Sequence, residues 1–338
     1  SLSSQGSAPA LLVQAQDGVA GESITLGQVR ETIRDTLDDD ADSNITETIG
    51  VFNYDYGLMN RGSIISTGVN MGFTSTGVKI AGSADGTHTT TVAGGVFNGS
   101  IITSSAFEAN ATGMQIGAGA ITPQLVNAGT IRGDVLTENT DTAFGVRIEA
   151  GASVGSVTNT GLIAATVRGW DGNATAFQDL SGSVATFTNN SRVGAGQTDD
   201  DTTDTITSGL GRSIALDLSH RATGVQLTQS DTIDVAVIAG DVLFGAGADR
   251  FDLLSGQVFG DVNFGTGSDT FVINSAKLTG PATSSTSAIT RSLGIKATEL
   301  SFTEVAACKI PMIKPTTKSA MSTGPLKTNA IQSALKVT

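Results

Sequence analysis

The sequence predicts an all-β chain, a right-handed parallel β-helix (solenoid) with a short irregular N-terminal cap and an atypical C-terminal tail. Three observations lead there: a composition suited to thin apolar layers, a repeat of about thirty residues, and a second recurring motif with strand periodicity. Of 338 residues, 42 are Gly and 6 are Pro, while aromatics supply only 5% and charged residues 15%. That mixture cannot fill a thick globular core, but it suits sheets of Val, Ile and Leu joined by tight turns. The 39% hydrophobic content, regularly spaced, argues against disorder.

Residues 1–48 read as an N-terminal cap or approach segment. They contain one plausible helix, Gly27 to Leu37, followed by the acidic run Asp38-Asp39-Asp40-Ala41-Asp42. Solenoids need polar terminal units, and this segment has that character.

Residues 49–230 carry the repeat. Leu58-Met59-Asn60-Arg61-Gly62-Ser63-Ile64 returns as Leu125-Val126-Asn127-Ala128-Gly129-Thr130-Ile131 and as Val157-Thr158-Asn159-Thr160-Gly161-Leu162-Ile163, with looser copies around Asn98 and Asn189. A second element lies between these copies: Thr76-Gly77-Val78-Lys79-Ile80, Thr112-Gly113-Met114-Gln115-Ile116, Phe144-Gly145-Val146-Arg147-Ile148 and Thr223-Gly224-Val225-Gln226-Leu227. Two apolar residues flanking a long polar one put the apolar pair on one face of a strand. In the copy at Phe177, Asp179 falls where an inward aliphatic residue is expected.

Each unit is therefore expected to hold two short strands, a tight turn and a variable loop. A unit so thin cannot bury its own apolar face, whereas stacked units share one core. Stacking makes Asn60, Asn98, Asn127, Asn159 and Asn189 candidates for a side-chain amide ladder. The Gly that follows two residues later is expected to supply a backbone angle other residues resist.

Residues 231–280 shorten the unit. Gly240-Asp241-Val242-Leu243-Phe244-Gly245-Ala246-Gly247-Ala248-Asp249 is echoed twenty residues on by Gly260-Asp261-Val262-Asn263-Phe264-Gly265-Thr266-Gly267-Ser268-Asp269. Residues 281–338 read as an atypical, disordered or foreign tail. From 291 onward the chain holds seven of its 19 Lys and Arg, two of its 32 acidic residues, two of its 42 Gly and its sole cysteine, Cys308.

The "VNAGTIRG", "TNTGLIAA" and "GVRIEAGAS" segments, with the "GDVLFGAGADRFDLL" and "GDVNFGTGSDTF" rungs, resemble an autotransporter (type V secretion) passenger of a Gram-negative outer-membrane protein. The resemblance covers roughly residues 49 to 280. It implies secretion through a C-terminal outer-membrane β-barrel and a location at the cell surface or outside the cell. It also implies partners that are extracellular proteins or glycan surfaces. Nothing after residue 280 reads as the alternating, aromatic-girdled strands of such a barrel.

Several chemistries are weighed against this scaffold. A formal net charge of −13 disfavours nucleic acid. One cysteine allows no disulfide framework, and no apolar run reaches the ~18 residues of a membrane-spanning helix. The segment at Ser1 lacks the charged and apolar regions of a signal peptide.

The Gly-x-Gly-x-Asp turns ending at Asp249 and Asp269 match half of a calcium-binding β-roll repeat, with Phe244 and Phe264 replacing its leading Gly. Calcium is the one cofactor the sequence raises. The alternative is that Gly makes each turn and Asp caps its backbone. Asp38, Asp40 and Asp42 imitate an EF-hand start but meet Ser43 and Ile49 where Gly and Glu are required. Asp199-Asp200-Asp201 with Asp204 reads as a solvated loop.

His88 and His220 have no neighbouring nucleophile signature, and both read as surface residues. Lys79 and Arg147 are expected to project outward at equivalent positions. Sugar-handling clefts favour aromatic platforms, whereas Trp170, Tyr54 and Tyr56 are the only Trp and Tyr residues here. No catalytic residue is assigned, and "GAGAD" is followed by no helix pattern of a dinucleotide site.

Overall fold

A computed structural model describes residues 1–18, 20–34, 48–169, 171–198, 211–232, 234–284 and 290–293. Among the described residues there is no helix, and every strand pairing but one is parallel. The chain winds through three columns of strands. One stacks Leu2–Gln5, Ser63–Thr67, Ile101–Phe107, Thr130–Leu136, Leu162–Arg168, Arg192–Thr198 and Val237–Ala239. The second runs from Leu11–Gln14 through Ser75–Ala81, Ala111–Ile116, Thr142–Ile148, Asn173–Asp179 and Ser213–Leu218 to Asp241–Phe244, Val262–Asn263 and Ala282–Thr283.

The third column holds the asparagine motif. Leu58–Asn60, Val96–Asn98, Ala120–Asn127, Ser153–Asn159, Thr186–Asn189 and Gln226–Gln229 pair in turn. The long strands Arg250–Phe259 and Thr270–Leu278 continue it and pass directly into the first column. A full coil therefore supplies three columns, one more than the two strands the repeat suggested. The third was hidden because the Asn motif straddles a turn and contributes to two columns.

Register explains the core. Ile64, Ile102, Ile131, Ile163, Val193, Ile238, Val258 and Leu278 lie one above another. None is more than 5% exposed. Val78, Met114, Val146, Phe177, Leu216 and Val242 form the facing row, each no more than 1% exposed. Neighbouring strands about 4.8 Å apart let each side chain rest on the one below. Burying such a side chain is worth roughly 1.5–3 kcal/mol, which is how a chain poor in large residues is held together.

In the short coils two other rows are aromatic, those that continue Leu218 and Leu227. Phe244 stacks on Phe264 with centroids 5.0 Å apart, and Phe251 on Phe271 at 5.2 Å.

Five expectations are corrected. The segment read as a helix from Gly27 to Leu37 contains a strand, Arg30–Arg34, antiparallel to Thr48–Asn53. Val29, Thr32 and Ile33 include β-branched residues that fit an extended partner better than a helix. The N-terminal segment is not irregular: Leu2–Gln5, Leu11–Gln14 and Ile24–Leu26 pair in parallel with the next coil. Stacking thus begins well before residue 49, and the antiparallel pair is an insertion within that first coil. At the other end, Ala282–Thr283 and Thr290–Leu293 still pair in parallel, so the stack passes residue 280.

The fourth correction concerns Gln226 and Leu227, which belong to the asparagine column; the second column is continued by Ser213–Leu218. Locally the Thr-Gly-Val-Gln-Leu string is indistinguishable, and only the place of the coil decides.

The fifth concerns Gly62, Gly129 and Gly161, two residues after Asn60, Asn127 and Asn159, which adopt no left-handed angle. A Cβ on Gly129 would lie 2.0 Å from the Ser100 carbonyl oxygen, and one on Gly161 2.1 Å from that of Gly129. Glycine is required there by the closeness of the preceding coil. Positive φ is found at other turns along the chain, as at Gly119 (φ 73°), Gly247 (φ 107°) and Gly267 (φ 142°).

Candidate functional site

The asparagines form one continuous hydrogen-bonded line. Asn60 Nδ2 donates to Asn98 Oδ1 at 2.7 Å, Asn98 to Asn127 at 2.7 Å, Asn127 to Asn159 at 2.8 Å and Asn159 to Asn189 at 2.9 Å. Asn98, Asn127, Asn159 and Asn189 are fully buried. Each of these four Nδ2 groups also donates to the carbonyl two residues on and to one in the following coil, as Asn127 does to Gly129 and Leu162. A buried amide has four hydrogen-bond positions to fill, and the stack fills them by repetition.

Sequence reasoning missed the sixth member. Asn189 donates to Gln229 Oε1 at 3.1 Å, and Gln229 Nε2 then binds the carbonyls of Ala236, Ser255 and Gln257. The signal was an amide side chain forty residues on, obscured by the intervening loop and by the change to Gln. The ladder is a structural device, internal and closed to ligands.

Asp179 occupies the inward position suspected from sequence and is 1% exposed. Its carboxylate accepts the backbone N–H groups of Ser181, Gly182 and Val184 and the Ser181 hydroxyl. It replaces a hydrophobic contact with a satisfied turn.

Asp249 and Asp269 are also 1% exposed. Asp249 Oδ1 accepts the Val225 N–H at 2.7 Å, and Asp269 Oδ1 accepts the Asp249 N–H at 3.1 Å. Each carboxylate thus engages the backbone of the preceding coil, as the capping alternative describes. Arg221, in the loop beneath, donates to the carbonyls of Gly224, Gly182 and Ser183 at 2.6, 3.0 and 3.0 Å. Carbonyls of the kind a hard cation would use at this corner are held by a guanidinium. Among the described residues, no three His, Cys, Asp or Glu side chains gather as metal ligands.

Lys79, Gln115, Arg147, Gln178 and Asp217 stand in one row of the second column. Arg147 lies 3.2 Å from Glu149 and 4.7 Å above the Phe144 ring, and Gln178 donates to Asp217. These contacts engage Arg147, Gln178 and Asp217 within the protein.

His88 Nε2 contacts the Gly21 carbonyl oxygen, and His220 is exposed. Tyr54 donates to Glu31, which also pairs with Arg61 at 3.0 Å, while the Arg61 guanidinium lies 4.7 Å over the Tyr54 ring. Hydrogen bonds from Tyr54 and Arg61 hold the Glu31 carboxyl below its ordinary value and moor the antiparallel pair to the ladder strand. Asp38–Asp42, Asp199–Asp201, Asp204, Trp170 and Cys308 lie outside the described residues.

A cavity of about 230 Å³ opens among the first coils, lined by Leu2, Leu11, Leu58, Ile64, Val78 and Met114 among others. Those apolar walls offer no acid or base to a substrate. Large side chains are exposed instead at loops and strand ends, among them Phe52 at 53% and Met71 at 66%. Compared with protein-family models, curated proteins and solved structures, the chain matches none.

Proposed function

We propose that this chain is a right-handed β-helical passenger of the autotransporter type, displayed on or released from a Gram-negative surface as a non-catalytic scaffold for adhesion. The observation that carries the reading is the parallel stack that, among the described residues, runs from Leu2–Gln5 to Thr290–Leu293. A core built coil on coil can fold progressively as it emerges from a membrane, each new rung resting on the last. The proposed partner for export is a C-terminal outer-membrane β-barrel beyond these residues. The proposed binding elements are the loops and the antiparallel pair Arg30–Asn53, whose Val51 and Phe52 are exposed.

The test is adhesion of cells and glycans to the immobilised chain, with and without a calcium chelator, beside far-UV circular dichroism. Adhesion and β-signal that both survive chelation, with adhesion lost when residues 30–53 are replaced by a short Gly-Ser link, are expected. Collapse of the β-signal in chelator would transfer the reading to a calcium-stabilised roll. Depolymerisation of a polysaccharide by the purified chain would overturn it in favour of an enzyme.

A further inference from the structure

Three buried side-chain atoms among the described residues lack a hydrogen-bond partner: Arg147 Nε, Asp252 Oδ1 and Asp249 Oδ2. The first two still sit in ion pairs, at 3.2 Å from Glu149 and 2.7 Å from Arg250. Asp249 Oδ2 has neither. It belongs to a carboxylate stacked one coil from another, since Asp269 receives the Asp249 N–H and the two turns bridge at Ala246 and Thr266.

The charged group facing the pair from the preceding loop is Arg221, whose Nε and Nη1 donate to backbone carbonyls and whose charge pulls the Asp249 value down, against burial. From the following coil the Ser284 hydroxyl reaches Asp269 Oδ2 at 3.4 Å, and residues 285–289 contain no titratable side chain. Arg250, next in sequence, is engaged by Asp252.

We propose that Asp249 and Asp269 form an acid-responsive clasp, which takes up one proton in mildly acidic surroundings and thereby tightens the coils from residue 222 to 278. A proton on Asp249 removes a buried charge whose Oδ2 has no donor to stabilise it, while Oδ1 keeps its bond to Val225. Burial is the leading cause pushing the Asp249 carboxyl up to about 6, with repulsion from Asp269 adding to it; burial also raises Asp269.

The sign follows from linkage. A folded-state value above the unfolded one means that the folded chain binds the proton more tightly. Stability is therefore gained as pH falls through about 6 and is complete only below the unfolded value of 3.8. From pH 8 to pH 5 the folding equilibrium of these coils is expected to improve about tenfold.

Hydrogen exchange of the full chain, corrected for the intrinsic pH effect, reads this directly. About tenfold greater protection of residues 222–278 at pH 5 than at pH 8 is expected. Asp249→Asn mimics the protonated acid and is expected to be protected equally at both values, whereas Asp134→Asn, half-buried on the first column and paired with Arg132, retains the difference. A carboxyl carbon titration of wild-type chain labelled at Asp is expected to show one midpoint near 6. Protection independent of pH, a pH difference undiminished in Asp249→Asn, or no Asp titrating above 5 would each overturn the proposal.

Discussion

Replacing Phe251 by alanine is expected to destabilise the chain by about 3–5 kcal/mol, the range for deleting a buried aromatic side chain. Phe251 is fully buried, stacks on Phe271 at 5.2 Å and lies 6.3 Å from Phe244. The coils here are narrow, so no other large side chain can slide into the space, and the rows above and below lose their seat together. Phe259 lies on the same strand but is 41% exposed, and its replacement is expected to change stability by less than about 0.5 kcal/mol. Urea denaturation of both variants separates the cases. Equal, small shifts would mean that the aromatic row does not bear the stack.

Asn127→Ala is the second large effect, expected at about 2–4 kcal/mol. The change removes two ladder bonds, from Asn98 at 2.7 Å and to Asn159 at 2.8 Å, and frees the carbonyls of Gly129 and Leu162. Leaving buried polar groups unpaired costs about 1–3 kcal/mol each, partly relieved where water can enter. Asn60 is half-buried at the end of the line, so Asn60→Ala is expected to cost only about 1 kcal/mol. Equal losses at the two positions would show that the amides act singly and do not form a ladder.

What the sequence made legible was whatever stacking repeats. Inward aliphatic residues recur because each rests on its predecessor, and an Asn inside the core must meet another amide, so its spacing announces the coil. What stayed hidden depended on counting coils across irregular insertions. Gln226 and Leu227 look like one element and occupy another, because the loop before them lengthens that coil. Val29 and Ile33 stand four apart, as on a helix face, yet their segment pairs with Thr48–Asn53, a contact that no local pattern encodes. The Phe pairs at a twenty-residue offset were visible as letters, but their stacking required the register. Asp179 and Asp249 could be seen as departures from the apolar pattern. Which backbone groups they cap could not, since those partners come from turn geometry.

The stack is tested most directly by distances between spin labels in a Cys308→Ser background. One label at Ile65 is paired in turn with labels at Ala164, Gly194, Ala239 and Phe259. These positions share one row of Cα partners, at successive rungs of the first column. Separations of about 14, 19, 24 and 29 Å are expected, rising by one strand spacing per rung although the intervening chain segments differ greatly in length. Distances that do not rise from one label to the next, or whose successive steps follow the 30, 45 and 20 residues between neighbouring labels in place of one equal spacing, would contradict parallel stacking.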